Sequence, residues 1–365
     1  MSLEFIESAE RWQLVYELLP DFPGKIYYSQ AYYSACAANG DGRPAAILFV
    51  PDVENHDNGV AAAMLQQGRA LFYPFLLRAV PRAVGGQGCF DIETAYGYGG
   101  PAVFNITAAE LLEFDRTFKT WAGTQNIIAE FVRLNPLDAT QKCLASIYQV
   151  ELNRITVSIR LDSGFSAVLD RCTPAKRRNW RRAEREGLHM VEMQDLQAFK
   201  SLYGSTMNRL GAQPFYHFSP AYFAALENLP QKNRFFAAVF TTKQKLAAAA
   251  VFLLDTDAAH YHLGASDPAF RQSQANVFMM LEFARQQAAS GRKMLHLGGG
   301  LSLQPDDRLY RFKAGLTTDR HDFFISRRIH QPKIYQRLSR RWQALTGKEP
   351  DILLHYHYGV ENADF

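Results

Sequence analysis

Five consecutive segments govern the reading of this chain: Phe235–Phe240 (FFAAVF), Thr241–Lys245 (TTKQK), Leu246–Leu254 (LAAAAVFLL), Asp255–Asp257 (DTD) and Ala258–Gly264 (AAHYHLG). Three apolar runs of strand length are separated by two short polar turns, which predicts an antiparallel meander. Downstream, Val277, Leu281, Ala284 and Ala288 fall at helical spacing, and Gly291 stands where a C-terminal glycine cap belongs. Met294–Leu297 reads as a further strand closed by Gly298-Gly299-Gly300. Asp306–Ala314 reads as a short helix with acids at its start, and His321–Ile329 as a last strand. The first half repeats the order. Helices are expected over Ala9–Leu19 and Gln30–Ala38, strands over Ala45–Val50, Val60–Leu65 and Ala70–Leu76, a helix over Ala108–Trp121 and a strand over Asn126–Val132.

Composition sets outer limits. The 365 residues exceed a usual single domain. With 47% hydrophobic and 21% charged residues the chain is of globular type. A net charge of +4 excludes a bulk polycation, so anion binding must come from local clusters. The N-terminus has no basic segment leading into an apolar run, and the most apolar stretch is too short to span a bilayer. A cytoplasmic location with reduced cysteines is therefore expected; Cys36, Cys89, Cys143 and Cys172 form no C-x-x-C pair.

Four segments carry candidate chemistry. In Thr173–Gly187, Thr173 suits an N-cap and Pro174 the first helical position. Arg178, Arg181, Arg182 and Arg185 share one helical face, and guanidinium forks suit phosphate or carboxylate. Trp180 and Ala183 would anchor the other side; a solvated basic face is the plain alternative. Tyr96-Gly97-Tyr98-Gly99-Gly100-Pro101 combines sharp backbone bends with two hydroxyls, as a cleft wall or as tight packing. In Tyr261–Ser266, alternation puts Tyr261 and Leu263 on one strand face and His260 and His262 on the other. Nothing completes a ligand set around these histidines, so no metal is expected. In Arg308–Leu316, Leu309 and Phe312 look like anchors, and Lys313 is either turned toward a cleft or a snorkelling surface lysine.

Taken together, these segments resemble the FemABX family of peptidoglycan-precursor aminoacyltransferases and its GNAT-like relatives. The resemblance rests on the basic helix Lys176–Gly187, on Tyr261–Ser266 followed by Asn276 and the helix to Gly291, and on Leu297–Gly300. It rests also on Phe312-Lys313-Ala314-Gly315-Leu316, which is similar to the family's F-K-x-G-F segment, and on the Tyr96–Pro101 turn. It implies an α+β fold of two tandem GNAT-like domains, each a mixed, mostly antiparallel sheet flanked by helices. The expected domains are residues 1–152 and 153–330, with 331–365 a C-terminal helix and tail packing on the first.

The implied activity is transfer of an activated acyl or aminoacyl group to a primary amine of a cell-envelope precursor. No cofactor would be permanently bound, and aminoacyl-tRNA or acyl-CoA would serve as co-substrate. Lys313 would stabilise transition-state charge or hold a donor phosphate. Lys176, Arg178, Arg181 and Arg182 would grip a phosphate-containing acceptor, while Tyr261, Ser266, Asn276, Tyr96, Tyr98 and Gly99 would line the substrate site. tRNA is a further expected partner and DNA is not. Lys333, Arg337, Arg340 and Arg341 lie on a C-terminal helix with Ile334, Leu338, Trp342 and Leu345, which either touches the inner membrane peripherally or packs inward. A non-catalytic anion- or RNA-binding module is the rival reading. The chain departs from the family pattern at Leu316, in place of Phe. It departs also at Pro268–Gln274, which lacks the R-x-x-G-x-G/A phosphate cradle of acetyl-CoA-using relatives.

Overall fold

The computed structural model describes residues 2–51, 65, 67–138 and 141–360. The chain divides into two compact units. One comprises Met1–Pro20, Tyr27–Leu152 and Phe324–Phe365; the other comprises Asp21–Ile26 and Asn153–Phe323.

In chain order the first unit holds β1 (Ser2–Ile6), α1 (Ala9–Leu18), α2 (Gln30–Ala38), β2 (Arg43–Val50), β3 (Ala70–Ala79), β4 (Phe90–Glu93), β5 (Ala102–Phe104), α3 (Ala108–Thr124) and β6 (Ile127–Arg133). The boundary strand β7 (Val150–Arg160) leads into α4 (Gly164–Arg171), α5 (Pro174–Arg185), β8 (His189–Glu192), α6 (Gln197–Leu210), α7 (Pro220–Glu227) and β9 (Arg234–Phe240). The second unit continues with β10 (Leu246–Leu254), β11 (Ala258–Ser266), α8 (Ala275–Ala289), β12 (Met294–Gly299) and α9 (Arg308–Ala314). A second boundary strand, β13 (Asp319–Ile329), returns the chain to the first unit, which ends with α10 (Pro332–Thr346).

The expected meander is β9, β10 and β11, antiparallel throughout. Its centre, β10, is buried along nearly its whole length, which is why it reads as a continuous apolar run rather than an alternating one. The helix read from Val277 to Ala288 is α8, which buries Phe278, Met279, Leu281, Phe283 and Ala284 in the core of this unit. In the first unit α3 starts in a capping box between Thr107 and Glu110 and buries Leu111, Phe114, Phe118 and Ala122 at helical spacing. The expected strand over residues 60–65 falls, apart from Leu65, outside the described residues.

The pairing pattern makes the repetition explicit. In the first unit β1, β2, β3 and β4 pair antiparallel in turn, β4 pairs parallel with β6, and β6 pairs antiparallel with β13. In the second, β8, β9, β10 and β11 pair antiparallel in turn, β11 pairs parallel with β12, and β12 pairs antiparallel with β7. The fold is thus α+β, each unit contributing a mixed, mostly antiparallel run of paired strands with flanking helices. In the first unit the strand that ends this path, β13, comes from a segment separate from Tyr27–Leu152, whereas the paired residues of β7, Thr156–Arg160, lie in the second unit's own continuous run.

Two local features hold the ends of these units. On α10, Leu338 and Trp342 are buried with Val80, Val84, Ile128 and Tyr356, so the helix spends its apolar side inside the first unit. The turn read at Asp255 is more than a turn. Its carboxylate accepts the Gly24 amide at 2.7 Å, the Ile26 amide at 2.6 Å and His260 Nε2 at 2.7 Å. This buried carboxylate is what enlists residues 21–26 in the second unit. Asp255→Ala strands two buried amides and should cost about 3 kcal/mol of stability. Hydrogen exchange should show the amides of residues 21–26 losing protection first; unchanged protection there would contradict this role.

Candidate active site

The site is built where the second unit's parallel pair comes apart. The β11–β12 ladder runs over Ala258↔Met294, Ala259↔Leu295 and His260↔His296, and stops there. Beyond it β11 continues to Ser266 on β10 alone, and β12 continues to Gly299 on β7 alone. Both strands are bulged near this point, β11 opposite Val251/Phe252 and β12 at His296/Gly298. A bulge breaks pairing and re-aims side chains. The corresponding parallel pair of the first unit is bonded onward. Thr94 N donates to Phe131 O at 3.1 Å, Arg133 N to Thr94 Oγ1 at 3.0 Å, and Gly99 bridges to Leu134.

Lys313 reaches across the opening. Its Nζ donates to Gly299 O on β12 at 2.8 Å and lies 5.6 Å from the centroid of the Tyr261 ring on β11. The residue is only 7% exposed, which sets aside the surface-lysine reading. Burial, with Arg154 adding repulsion and Asp307 partly offsetting it, lowers its pKa from the usual lysine value to about 7. His296, buried close by, is held well below its ordinary value by burial, with His260, His321 and Lys313 as further causes.

The sequence explains how α9 is set. Asp307 caps it, accepting Tyr310 N at 2.8 Å, and also accepts the Leu301 and Ser302 amides at 2.6 and 2.9 Å. A Cβ at Gly300 would lie 2.6 Å from that carboxylate, so the third glycine of the turn is a packing requirement. Tyr310 and Phe312 pack on the core as partly buried rings, but Leu309 is 39% exposed. The expected anchor at Leu309 is therefore corrected: Lys313 itself takes the buried position.

The basic helix joins the site at its first turn. Thr173 N donates to Gly315 O at 2.9 Å and Cys172 Sγ to Leu316 O at 3.2 Å, tying the start of α5 to the end of α9. Lys176 Nζ then sits 3.9 Å from the Phe312 ring centroid, and burial lowers its pKa to about 8. Leu316, fully buried, fills the place where the family segment carries Phe. Arg182 donates to Gln272 O at 2.7 Å and pairs with Glu186, so it braces the turn before α8. Arg178 and Arg181 remain exposed, on an open face of about 620 Å³ lined only by residues of α5.

The remaining predicted residues separate. Ser266 and Asn276 bond to each other at 3.0 Å beside the same strand end. Tyr96, Tyr98 and Gly99 belong to the first unit. There the left-handed Gly97 and Gly100 would meet Tyr27 and Leu134 at 2.9 and 2.8 Å if they carried a Cβ, and Tyr98 packs edge-on against Tyr27. The β11 bulge also corrects the simple alternation expected for Tyr261–Leu263. Tyr261 turns over Gly264, where an added Cβ would lie 1.7 Å from its hydroxyl. His262 points instead to the Tyr222 hydroxyl at 2.7 Å. Arg154, which donates to Gly300 O at 2.9 Å, escapes sequence reading because it lies in a boundary strand with no motif of its own. Among the described residues no three His, Cys, Asp or Glu side chains gather as metal ligands, and no helix is long and apolar enough to cross a membrane.

Comparison with known proteins places this geometry. Residues 174–314 match the family model described as an acetyltransferase (GNAT) domain. No curated protein matches the chain in sequence. The crystal structure of FemX is similar with a TM-score of 0.66 and 13% identity, over 92% of this chain and 99% of that one. A conserved protein of unknown function from Bacteroides thetaiotaomicron VPI-5482 has a TM-score of 0.55 and 11% identity, over 89% and 99%. L-PGS from Bacillus licheniformis has a TM-score of 0.51 and 12% identity, over 88% and 92%. At such identities the likeness to these structures is one of fold: the chain shares its fold with FemX over most of its length, and residues 174–314, inside the second unit, match the acetyltransferase (GNAT) domain.

Proposed function

We propose that the protein is an N-acyltransferase that moves an activated acyl or aminoacyl group to a primary amine of a phosphate-containing cell-envelope precursor. The observation that carries this reading is Lys313, buried across the opening between β11 and β12. The ladder's end leaves strand edges whose backbone groups can hydrogen-bond a donor held beside Lys313. The acceptor nitrogen attacks the acyl carbon and the carbonyl oxygen becomes an oxyanion; the carbonyl re-forms as the ester or thioester bond breaks, and the carrier leaves as its hydroxyl or thiol with the proton the nitrogen gives up. One N–H of the Lys313 ammonium is spent on Gly299 O. The other two can meet the oxyanion or a donor phosphate, in a water-poor place where such a contact counts most. An anionic ligand would also pull the lysine's pKa back up, so binding itself charges the group that catalysis uses.

Donor and acceptor enter as classes. The turn at Pro268–Gln274 holds Arg182 through Gln272 O and has no run of glycines to cradle a pyrophosphate. Aminoacyl-tRNA is accordingly the donor to test first, with acyl-CoA beside it. The exposed Arg178 and Arg181 are placed to hold phosphates of either the tRNA or a nucleotide-linked acceptor. With Leu338 and Trp342 buried and Leu345 exposed, α10 could approach an anionic membrane through its basic residues and that one leucine.

Lys313→Met should lower kcat for transfer to a nucleotide-linked peptidoglycan precursor by about 10²–10³-fold while acceptor KM changes little; steady-state assays returning an unchanged kcat would remove Lys313 from the reaction. The double variant Arg178→Glu/Arg181→Glu should leave folding intact and weaken phosphate-bearing substrates. A flatter salt dependence of KM than wild type would support this reading, and an unaltered slope would count against it.

Linkage supplies a third expected outcome. The folded pKa of Lys313, about 7, lies below the usual lysine value, so from pH 7 upward the unfolded chain holds a proton that the folded chain lacks. The cost of burying the charge is full below pH 7 and fades as pH rises toward 10. The Tm of Lys313→Met relative to wild type should therefore be highest near pH 6 and fall steadily toward pH 10, measured by calorimetry. A pH-independent difference would contradict the lowered pKa.

A further inference from the structure

We propose that a second cleft of this unit, between α6 and the segment leading into α7, is the pocket for an apolar acyl side chain. The proposal deepens the acyltransferase reading and rests on it. The cleft has a volume of about 230 Å³ and is lined by Tyr203, Gly204, Phe218, Pro220 and Phe223, with Lys200 and His217 as its polar side chains. These rings are already ordered by one another. Phe218 stacks on Tyr222 at 4.3 Å, Tyr203 meets Phe223 edge-on at 5.9 Å, and the Tyr203 hydroxyl donates to Tyr216 O at 2.9 Å. A preformed aromatic cleft takes an apolar group without first having to rearrange.

Gly204 points to an occupant. It is the eighth residue of the 14-residue helix α6, where glycine weakens the helix relative to alanine. Its backbone is not left-handed, and an added Cβ would have nothing within 4 Å. Neither backbone geometry nor a packed neighbour asks for glycine there. The space that a side chain would fill is the cleft itself.

Charge and position say which group fits. No carboxylate lines the cleft. Lys200 does, and its counter-ion Glu227, 3.1 Å away, also accepts the Leu196 amide. A chain that ends in an amine is disfavoured beside that ammonium. The cleft also adjoins β11: Tyr222, which stacks on Phe218, bonds to His262, the residue after Tyr261. An acyl carbon held near Lys313 can thus send its chain toward α6.

The test titrates acetate, butyrate, hexanoate and octanoate, with octylamine as the cationic counterpart, into the full-length protein by ligand-observed NMR. Each methylene that enters the cleft should tighten binding about three- to fourfold, and octylamine should bind at least about ten-fold more weakly than octanoate. Gly204→Trp fills the cleft and should abolish the chain-length dependence, whereas Gly204→Ala should keep it; both should fold, with Tm at or above wild type. A flat chain-length series, octylamine binding as well as octanoate, or Gly204→Trp behaving as wild type would each overturn the pocket. Octanoate bound as expected by a protein that transfers no acyl group would leave the pocket standing and remove the reaction. Transfer with no chain-length dependence would do the reverse.

Discussion

A primary amine buried against one carbonyl and one aromatic ring is an expensive thing to keep in a fold. Lys313 is such a group, and the glycine turn after β12, the cap of α9 and the start of α5 meet around it. Desolvation opposes its charge, and a single carbonyl offsets only part of the cost, which is why its pKa falls to about 7. The Gly298–Gly300 turn presents that carbonyl, Asp307 fixes both the turn and the start of α9, and Cys172 and Thr173 lock α5 onto the end of the same helix. A purely structural position would be filled more stably by Leu or Met. The lysine makes sense if an anion arrives to complete its environment.

The two units share one pairing pattern and differ at the place where chemistry would happen. In the first, hydrogen bonds through Thr94, Arg133 and Gly99 carry the parallel pair onward. In the second, the ladder stops after three pairs and a charged side chain spans the opened strands. The duplication supplies the scaffold. Whether the parallel pair is closed or open is settled by a bulge and a few side-chain bonds rather than by topology, and the proposed function rests on the open one.

Much of this is legible in the sequence because it is local. The meander, α8 and the capped start of α9 announce themselves through periodicity, polar turns and an aspartate before a helix. Strands β1, β4, β5 and β8 do not, being three to five residues long and too short to show a period. Lys313 can be singled out but not weighed, since burial is a property of the assembled core: Leu309 reads as the anchor, and the lysine is the buried residue. The bulge opposite Val251/Phe252 escapes for a related reason. Strict alternation assumes an unbroken ladder, and one extra residue sends Tyr261 over Gly264 and His262 to Tyr222. Asp255 reads as a turn residue because its partners Gly24 and Ile26 lie more than 200 positions away. The Gly204 cleft carries no signal at all, as a lone glycine in a helical pattern is ambiguous without its surroundings.

Whether Lys313 is a buried amine poised near neutrality by its site is tested most directly by titrating its own resonances. NMR of protein labelled in lysine side chains reads them, with Lys313→Met assigning the signal. A midpoint near pH 7 is expected in the free protein, moving upward when a phosphate-bearing substrate binds. A midpoint at the ordinary lysine value, unmoved by any anion, would contradict the role given to this residue.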